Sequence, residues 1–245
     1  MFIKPNERLD DLQNHGLKIL QDPAGFCFGM DAVLLAYFTR LRSRDHVTDL
    51  GTGTGILPLL MSRMAADTQF DALEWQPETA DMARRSMLLN GLEARIRVHC
   101  TDARQAPALL GYGSMDGVVC NPPYGKRDGT FGSEREAHLL ARHETDCTLP
   151  EMIQSAAAIL KNRGRFWICF PPVRALELMD VLRAARLEPK RIRMVCVRAD
   201  QAPYLLLVEA VKNAKPQLVW LPPLIVYNMD GHWSPELQEM YQEKP

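Results

Sequence analysis

At 245 residues, with a formal net charge of −1 and 47% hydrophobic content, the chain can bury one α/β core with additions, and its overall charge speaks neither for nor against nucleic acid. No stretch approaches the roughly 18 apolar residues that a membrane span needs, and the N-terminus lacks a basic region followed by an apolar run. The cysteines (Cys27, Cys100, Cys120, Cys147, Cys169, Cys196) are scattered without a CxxC pair, which reads as reduced core residues of a cytoplasmic protein.

In chain order, residues 1–45 read as an N-terminal extension packed on the core. Leu17–Leu20 is a short strand, Asp22–Gly25 a turn and Phe26–Phe28 the returning strand. Asp31 is placed to N-cap a helix over Ala32–Arg40, and it could also reach a ligand at that helix end. From Val47 a regular alternation begins. A strand over Val47–Leu50 meets the loop Gly51-Thr52-Gly53-Thr54-Gly55, and a helix follows over Ile56–Ala66. A second strand ends at Glu74, and Pro77 opens a helix to about Asn90. Ile96–Cys100 and Met115–Cys120 are the third and fourth strands, followed by Asp102 and Asn121 respectively. Thr148-Leu149-Pro150-Glu151 has capping-box spacing and starts a helix to about Lys161. Phe166–Phe170 is a fifth strand and Val173–Arg186 a helix, with Arg191–Val197 and Tyr204–Val211 an antiparallel strand pair. Strands alternating with helices predict a parallel sheet covered on both faces.

Ligands of such sheets bind at the carboxyl ends of the strands. Those ends supply Asp49 with the glycine loop, Glu74, Asp102 and Asn121. Gly51, Gly53 and Gly55 permit a tight turn and a close backbone approach, and Thr52 lies among them. Glu74 stands 19 residues past Gly55, where a carboxylate can accept from ribose hydroxyls. A glycine loop alone fits either a dinucleotide or a nucleoside. The GxGxG spacing, with Asp102 able to accept from an adenine amino group, favours an adenosine ligand without phosphate. In Asn121-Pro122-Pro123-Tyr124 the prolines hold Asn121 and Pro122 extended. The Asn121 amide oxygen and a nearby carbonyl can then take both N–H donors of a planar amino group, with Tyr124 stacking on its ring. A strand that simply stops at a proline turn is the plainer alternative.

Together these stretches resemble the S-adenosylmethionine-dependent methyltransferases of Rossmann-like fold. Within them the chain is similar to the bacterial tRNA (adenine-N6)-methyltransferases, typified by the enzyme that modifies adenine-37 of a valine tRNA, and to their Gram-positive branch. Glu7–Asp10, Gly25–Phe38, Ala141–Glu144, Leu187–Ile192 and Pro222–Tyr227 extend the likeness over nearly the whole chain. The resemblance implies a class I fold, a seven-stranded, mostly parallel sheet with an antiparallel C-terminal strand pair, over residues 46–215. It implies S-adenosylmethionine held by Asp31, Asp49, Gly51, Thr52, Gly53, Gly55, Glu74, Trp75, Asp102, Ala103 and Asn121. It also implies catalysis by Asn121, Pro122 and Tyr124, and an RNA substrate, a tRNA, with no metal.

Residues 125–147 follow the motif directly and are expected to form a lid that orders on substrate. His138, His143, Glu144 and Cys147 match no common zinc spacing, and Arg142 is a candidate for a phosphate. Residues 161–198 hold ten Lys or Arg against three Asp or Glu, a candidate phosphate-binding face in which Arg191 and Arg193 stand out, or a set of solvated positions. Residues 216–245 read as an arm packed back on the domain. A protein-glutamine methyltransferase, an rRNA methyltransferase and a non-catalytic RNA-binding protein remain the alternatives. The glutamine enzymes carry a helical N-terminal domain for which about 45 residues before the glycine loop leave little room.

Overall fold

The computed structural model describes residues 2–12, 16–25, 27–122 and 147–241. Its centre is a nine-stranded sheet in the order β10-β8-β9-β7-β6-β3-β4-β5, with β11 also paired to β8. The strands are β3 (His46–Leu50), β4 (Gln69–Glu74), β5 (Ile96–Cys100), β6 (Met115–Cys120), β7 (Leu160–Phe170), β8 (Leu187–Cys196), β9 (Leu205–Lys212), β10 (Val219–Trp220) and β11 (Leu224–Ile225). β3 to β7 run parallel, and β9 enters antiparallel between β7 and β8. Those seven strands match the expected sheet. The two more come from the C-terminal segment, where the short β10 and β11 add in parallel to the outer edge of β8.

Period-two alternation gives the sheet two apolar faces. Val47, Phe70, Ala72, Val119, Trp167 and Cys169 face one core with helices α1 (Met30–Phe38), α2 (Ile56–Met64) and part of α3 (Pro77–Leu89). The C-terminal helix α7 (Pro235–Tyr241) closes the same side through the buried Leu237. Leu50, Leu73, Val118, Cys120, Phe166 and Ile168 face the other, under α4 (Ala106–Leu110), α5 (Leu149–Ile159) and α6 (Ala175–Ala184). The capping box forms as read: the Thr148 hydroxyl accepts from Glu151 N–H, and the Glu151 carboxylate accepts from Thr148 N–H. α5 stops two residues short of the expected Lys161 because the chain turns extended at Leu160. It enters β7 through a register shift that includes Arg163 at φ 66°.

Two local expectations give way near the N-terminus. β2 (Lys18–Gln21) pairs with β1 (Arg8–Asp11) upstream, not with a strand at Phe26–Phe28. Cys27 and Phe28 are irregular, and Phe26 lies outside the described residues. Asp22 accepts from Ala24 N–H and Gly25 N–H and turns the chain toward α1, leaving the partner edge of β2 to β1. The β1–β2 hairpin is held on α3 by a two-bond ion pair between Arg85 and Glu7, 2.6 and 2.7 Å, and by Ser86 accepting from Leu20 N–H. The second change is at α1, whose N-cap is Gly29 with no side-chain cap. Asp31 lies inside the first turn, where its charge still faces the positive end of the helix.

The basic run also reads differently once partners are visible. Arg165 is buried against Asp45 at 2.5 Å, Arg191 pairs with the buried Glu209 at 2.7 Å and stacks on Phe38, and Arg193 pairs with Glu236 at 2.5 Å. Lys161, Arg174 and Arg183 have carboxylate partners too. Arg191 and Arg193 are therefore engaged by carboxylates within the fold. Glu209 also accepts from the Trp167 indole N–H at 3.0 Å, so removing Arg191 leaves a carboxylate in the core with one weak partner. Arg191→Ala should cost about 3 kcal/mol in urea unfolding, while Arg193→Ala, whose partner is half exposed, should cost under about 1 kcal/mol. Equal, small losses in both would show that the Arg191 pair is not a core element.

Candidate active site

The site is built where β3, β4 and β6 end side by side. In register, Asp49 lies opposite Ala72 and Val119, so Asp49, Glu74 and Asn121 all project onto the α1–α2 face of the sheet at its carboxyl edge. After Leu50 the loop turns back on β4: Gly51 N–H and Thr52 N–H donate to the Leu73 carbonyl at 3.0 and 2.9 Å. Gly51 and Gly53 have φ of 75° and 57°, and a Cβ on either would meet no atom within 4 Å. That space is open for a ligand to approach. At Gly55 a Cβ would lie 2.3 Å from the Met87 methyl, so this glycine serves the packing of α2 on α3.

Glu74 locks the loop in place. One carboxylate oxygen accepts from Gly53 N–H and the other from Gln76 N–H, each at 2.9 Å. Burial raises its pKa, against these backbone N–H groups. Asp49 is fully buried. Removal from water pushes its carboxyl up to about 7, opposed by the Thr52 hydroxyl beside it and reinforced by the negative charge of Glu74. Neither Asp49 oxygen nor the Thr52 hydroxyl reaches hydrogen-bond geometry with a partner among the described residues. Buried polar atoms normally have partners, so this pair is a candidate floor for a binding site. Asp31, in the first turn of α1, is likewise raised by burial.

Asp102 caps the short turn Ala103–Gln105 by accepting from Arg104 N–H, and the Arg104 guanidinium folds back on it at 2.5 Å. That neighbour holds the Asp102 carboxyl below its usual range, so an adenine amino group would share the carboxylate with Arg104. Trp75 is 49% exposed between β4 and α3, and Ala103 is half-buried beside Asp102. Asn121 is half-buried and Pro122 buried. The Asn121 amide oxygen accepts from the Cys169 thiol at 2.9 Å, a contact that sequence patterning assigns no role beyond core packing. Pro123, Tyr124, His138, Arg142, His143 and Glu144 lie outside the described residues, as does the expected lid apart from Cys147.

A family model described as the methyltransferase small domain matches residues 18–185. The chain belongs to that family. It is 29% identical over 226 residues to a protein of Tolumonas auensis named tRNA1(Val) (adenine(37)-N6)-methyltransferase, covering 91% of each chain. A protein of the same name from Porphyromonas gingivalis is 27% identical over 196 residues, covering 78% of this chain and 76% of that one. Among solved structures, a predicted O-methyltransferase of Agrobacterium tumefaciens superposes with a TM-score of 0.72 at 24% identity, over 86% of this chain and 95% of the other. TYW2 of M. jannaschii, in complex with AdoMet, gives 0.59 at 14% identity over 86% and 88%. These neighbours share the Rossmann-like methyltransferase fold. As a member of this family, the protein is an S-adenosylmethionine-dependent methyltransferase.

The buried Asp49 yields a pH test of the site. Its carboxyl keeps a proton in the fold up to about pH 7, whereas the free side chain loses it near 3.8. Folding stability from this group therefore falls as pH rises through that window and is flat above it. Urea unfolding at pH 5 and pH 8 should show the native protein losing roughly 2–3 kcal/mol relative to Asp49→Asn. Parallel behaviour of the two proteins would mean the carboxyl is ionised in the fold throughout.

Proposed function

We propose that the protein methylates the exocyclic N6 of an adenine in RNA, namely position 37 in the anticodon loop of a valine tRNA. The observation that carries this reading is Asn121, placed at the carboxyl edge with its amide oxygen on the Cys169 thiol, beside the loop that Glu74 pins. The names of the relatives from Tolumonas auensis and Porphyromonas gingivalis support the choice of substrate.

The residues present fit S-adenosylmethionine on three structural grounds. Open space faces Gly51 and Gly53. Asp49 and Thr52 offer buried polar atoms without partners among the described residues. The Glu74 carboxylate, an acceptor of up to four bonds, keeps capacity beyond its backbone N–H partners. Glu74 would accept from ribose hydroxyls and Asp102 from the adenine amino group, with Asp31, Asp49, Thr52, Trp75 and Ala103 completing the surround. When bound, the cofactor supplies a methyl group already activated on a sulfonium.

What remains for the protein is to make a poor nucleophile available. The lone pair of an exocyclic amine is delocalised into its ring. Hydrogen bonds from its two N–H groups to the Asn121 amide oxygen and the Pro122 carbonyl favour a pyramidal nitrogen with the lone pair free. Acceptors fixed before substrate arrives lower such a barrier without a strong base. Tyr124 would stack on the extruded base. A loop adenine is cheaper to splay than a paired one, which suits a chain of this size.

Asn121→Ala should lower kcat by roughly 100-fold or more while leaving cofactor affinity within a few-fold, as expected for an interaction strongest in the transition state. The substrate is tested by nucleoside mass spectrometry of tRNA, rRNA and protein fractions from cells with and without the gene. Loss of N6-methyladenosine from a valine tRNA is the expected outcome. A methyl group missing instead from rRNA or from a protein glutamine would overturn the substrate and leave the cofactor standing.

With Arg191 and Arg193 committed to the fold, Arg198 is the better phosphate candidate in the basic run. It is exposed in the β8–β9 loop, at the same sheet edge as Asn121, with no ion pair among the described residues. Arg198→Glu should reduce the slope of log affinity for tRNA against log salt by about one, with cofactor affinity unchanged. An unaltered slope would remove it from the RNA contact.

A further inference from the structure

We propose that the amino edge of the sheet, opposite the active site, is a second RNA contact, where arginines hold the phosphate backbone of the same RNA whose adenine reaches Asn121. The identity of that RNA rests on the function proposed above; the surface itself rests on where the free cations lie.

The amino edge is where β3, β7 and β8 begin and β9 ends. Its turns carry Arg40, Arg42 and Arg44 before β3, Arg163 near the start of β7, Arg186 before β8 and Lys215 after β9. All six are exposed, and none of their charged groups has a hydrogen bond or ion pair among the described residues. Contacts between the turns join them into one surface. Arg165 donates to the Arg40 carbonyl and pairs with Asp45, the residue after Arg44. Asn213 N–H donates to the Arg186 carbonyl at 2.9 Å, and its side-chain amide donates to Asn162, the residue before Arg163, at 3.1 Å. The carboxylates close by are already engaged, Asp45 by Arg165, Asp116 by Lys161 and Glu188 by Arg183. The six cations are left uncompensated.

Backbone conformation sets three of these arginines apart from ordinary solvated ones. Arg44, Arg163 and Arg186 have φ of 64°, 66° and 58°, the left-handed region that a side chain other than glycine or asparagine adopts at a cost. With Asn213, at φ 54°, they are the four such residues among those described, and all four lie on this one edge. At its other left-handed positions the chain has glycine, Gly51 and Gly53 among them. Strained positions of this kind gather at ligand sites, and a guanidinium offers phosphate a two-bond fit. β3 is only five residues long, a span of roughly 17 Å at ~3.3 Å per residue. That is shorter than a duplex of the ~16 base pairs that one RNA-binding module covers. An RNA stem whose loop enters the carboxyl edge is therefore long enough to reach the amino edge.

Glycine is the discriminating substitution, because it removes the cation and suits the backbone. A triple variant, Arg44→Gly with Arg163→Gly and Arg186→Gly, should melt within about 3 °C of the native protein. Its affinity for full-length valine tRNA, read by fluorescence anisotropy, should fall about 10-fold at ~100 mM salt, and the slope of log affinity against log salt should drop by about two. Cofactor affinity and kcat at saturating tRNA should be unchanged, since the three lie across the sheet from Asn121. Lysine at the same three positions should recover the slope, which counts charges, though not the full affinity. Should the glycine variant fail to fold, Arg40→Gln with Arg42→Gln, neither at positive φ, should flatten the slope in its place. An unaltered affinity and slope, or a slope that lysine does not recover, would overturn the proposal. So would intact tRNA binding with loss of binding to poly-glutamate, which would make the edge a protein-docking surface. A native protein that binds tRNA but methylates rRNA or a protein glutamine fails the proposed function, while the slope comparison still judges the edge. Methylation of valine tRNA with an unaltered slope in the variant fails the edge alone.

Discussion

Everything at the active edge depends on parallel register among four neighbouring strands. β4, β3, β6 and β7 run side by side with no offset at their carboxyl ends, apart from the shift low in β7. Glu74, Asn121 and Cys169 therefore reach the same level on the same face, with Asp49 one pleat below them. A slip of one residue in any pair would send that side chain to the opposite apolar core. The two cores prevent it: Val47, Val119 and Trp167 are buried on one face and Val118, Cys120 and Ile168 on the other. The chemistry borrows its accuracy from packing that takes no part in it.

The electrostatics of the site follow from burial of its carboxyl groups. Asp31, Asp49 and Glu74 all have carboxyls raised by burial, and Glu74 adds its charge to the difficulty of ionising Asp49. Glu74 is supported by backbone N–H groups, whereas Asp49 has no hydrogen-bonded partner among the described residues. An acid in that state welcomes either a proton or a cationic ligand.

Cations show the opposite economy. The run from 161 to 198 looks like an unbalanced basic face because its partners lie far away in sequence. Asp45 precedes Arg165 by 120 positions, and Glu236 follows Arg193 by 43. Glu209, on the adjacent strand, joins Arg191 to the Trp167 indole. Ion pairs also fasten the ends of the chain, the N-terminal hairpin to α3 through Arg85 and the C-terminal segment to β8 through Arg193. Long-range pairing takes up Lys161, Arg165, Arg191 and Arg193, while Arg174 and Arg183 pair locally and Arg198 stays exposed.

Local chemistry made much of this protein readable in advance. β5 and β6 fall where their apolar runs end, Pro77 opens its helix, and Thr148 with Glu151 closes a capping box, because each depends on residues within a few positions. Asp49, Glu74, Asp102 and Asn121 could be nominated for the same reason: a strand end is a local event, and strand ends in a parallel sheet converge. Near the N-terminus that logic failed, since β2 had two possible partners and only its docking on α3 chose β1. Asp102 was legible as a strand-end acid, but its engagement with Arg104 was not. Arg191 was invisible in its actual role, having been taken for a surface cation. By itself the sequence determined which residues end the strands and which groups could do chemistry there. Only the tertiary structure decided who stands beside whom, because register and ion pairing are set by burial across the whole sheet and carry no local signature.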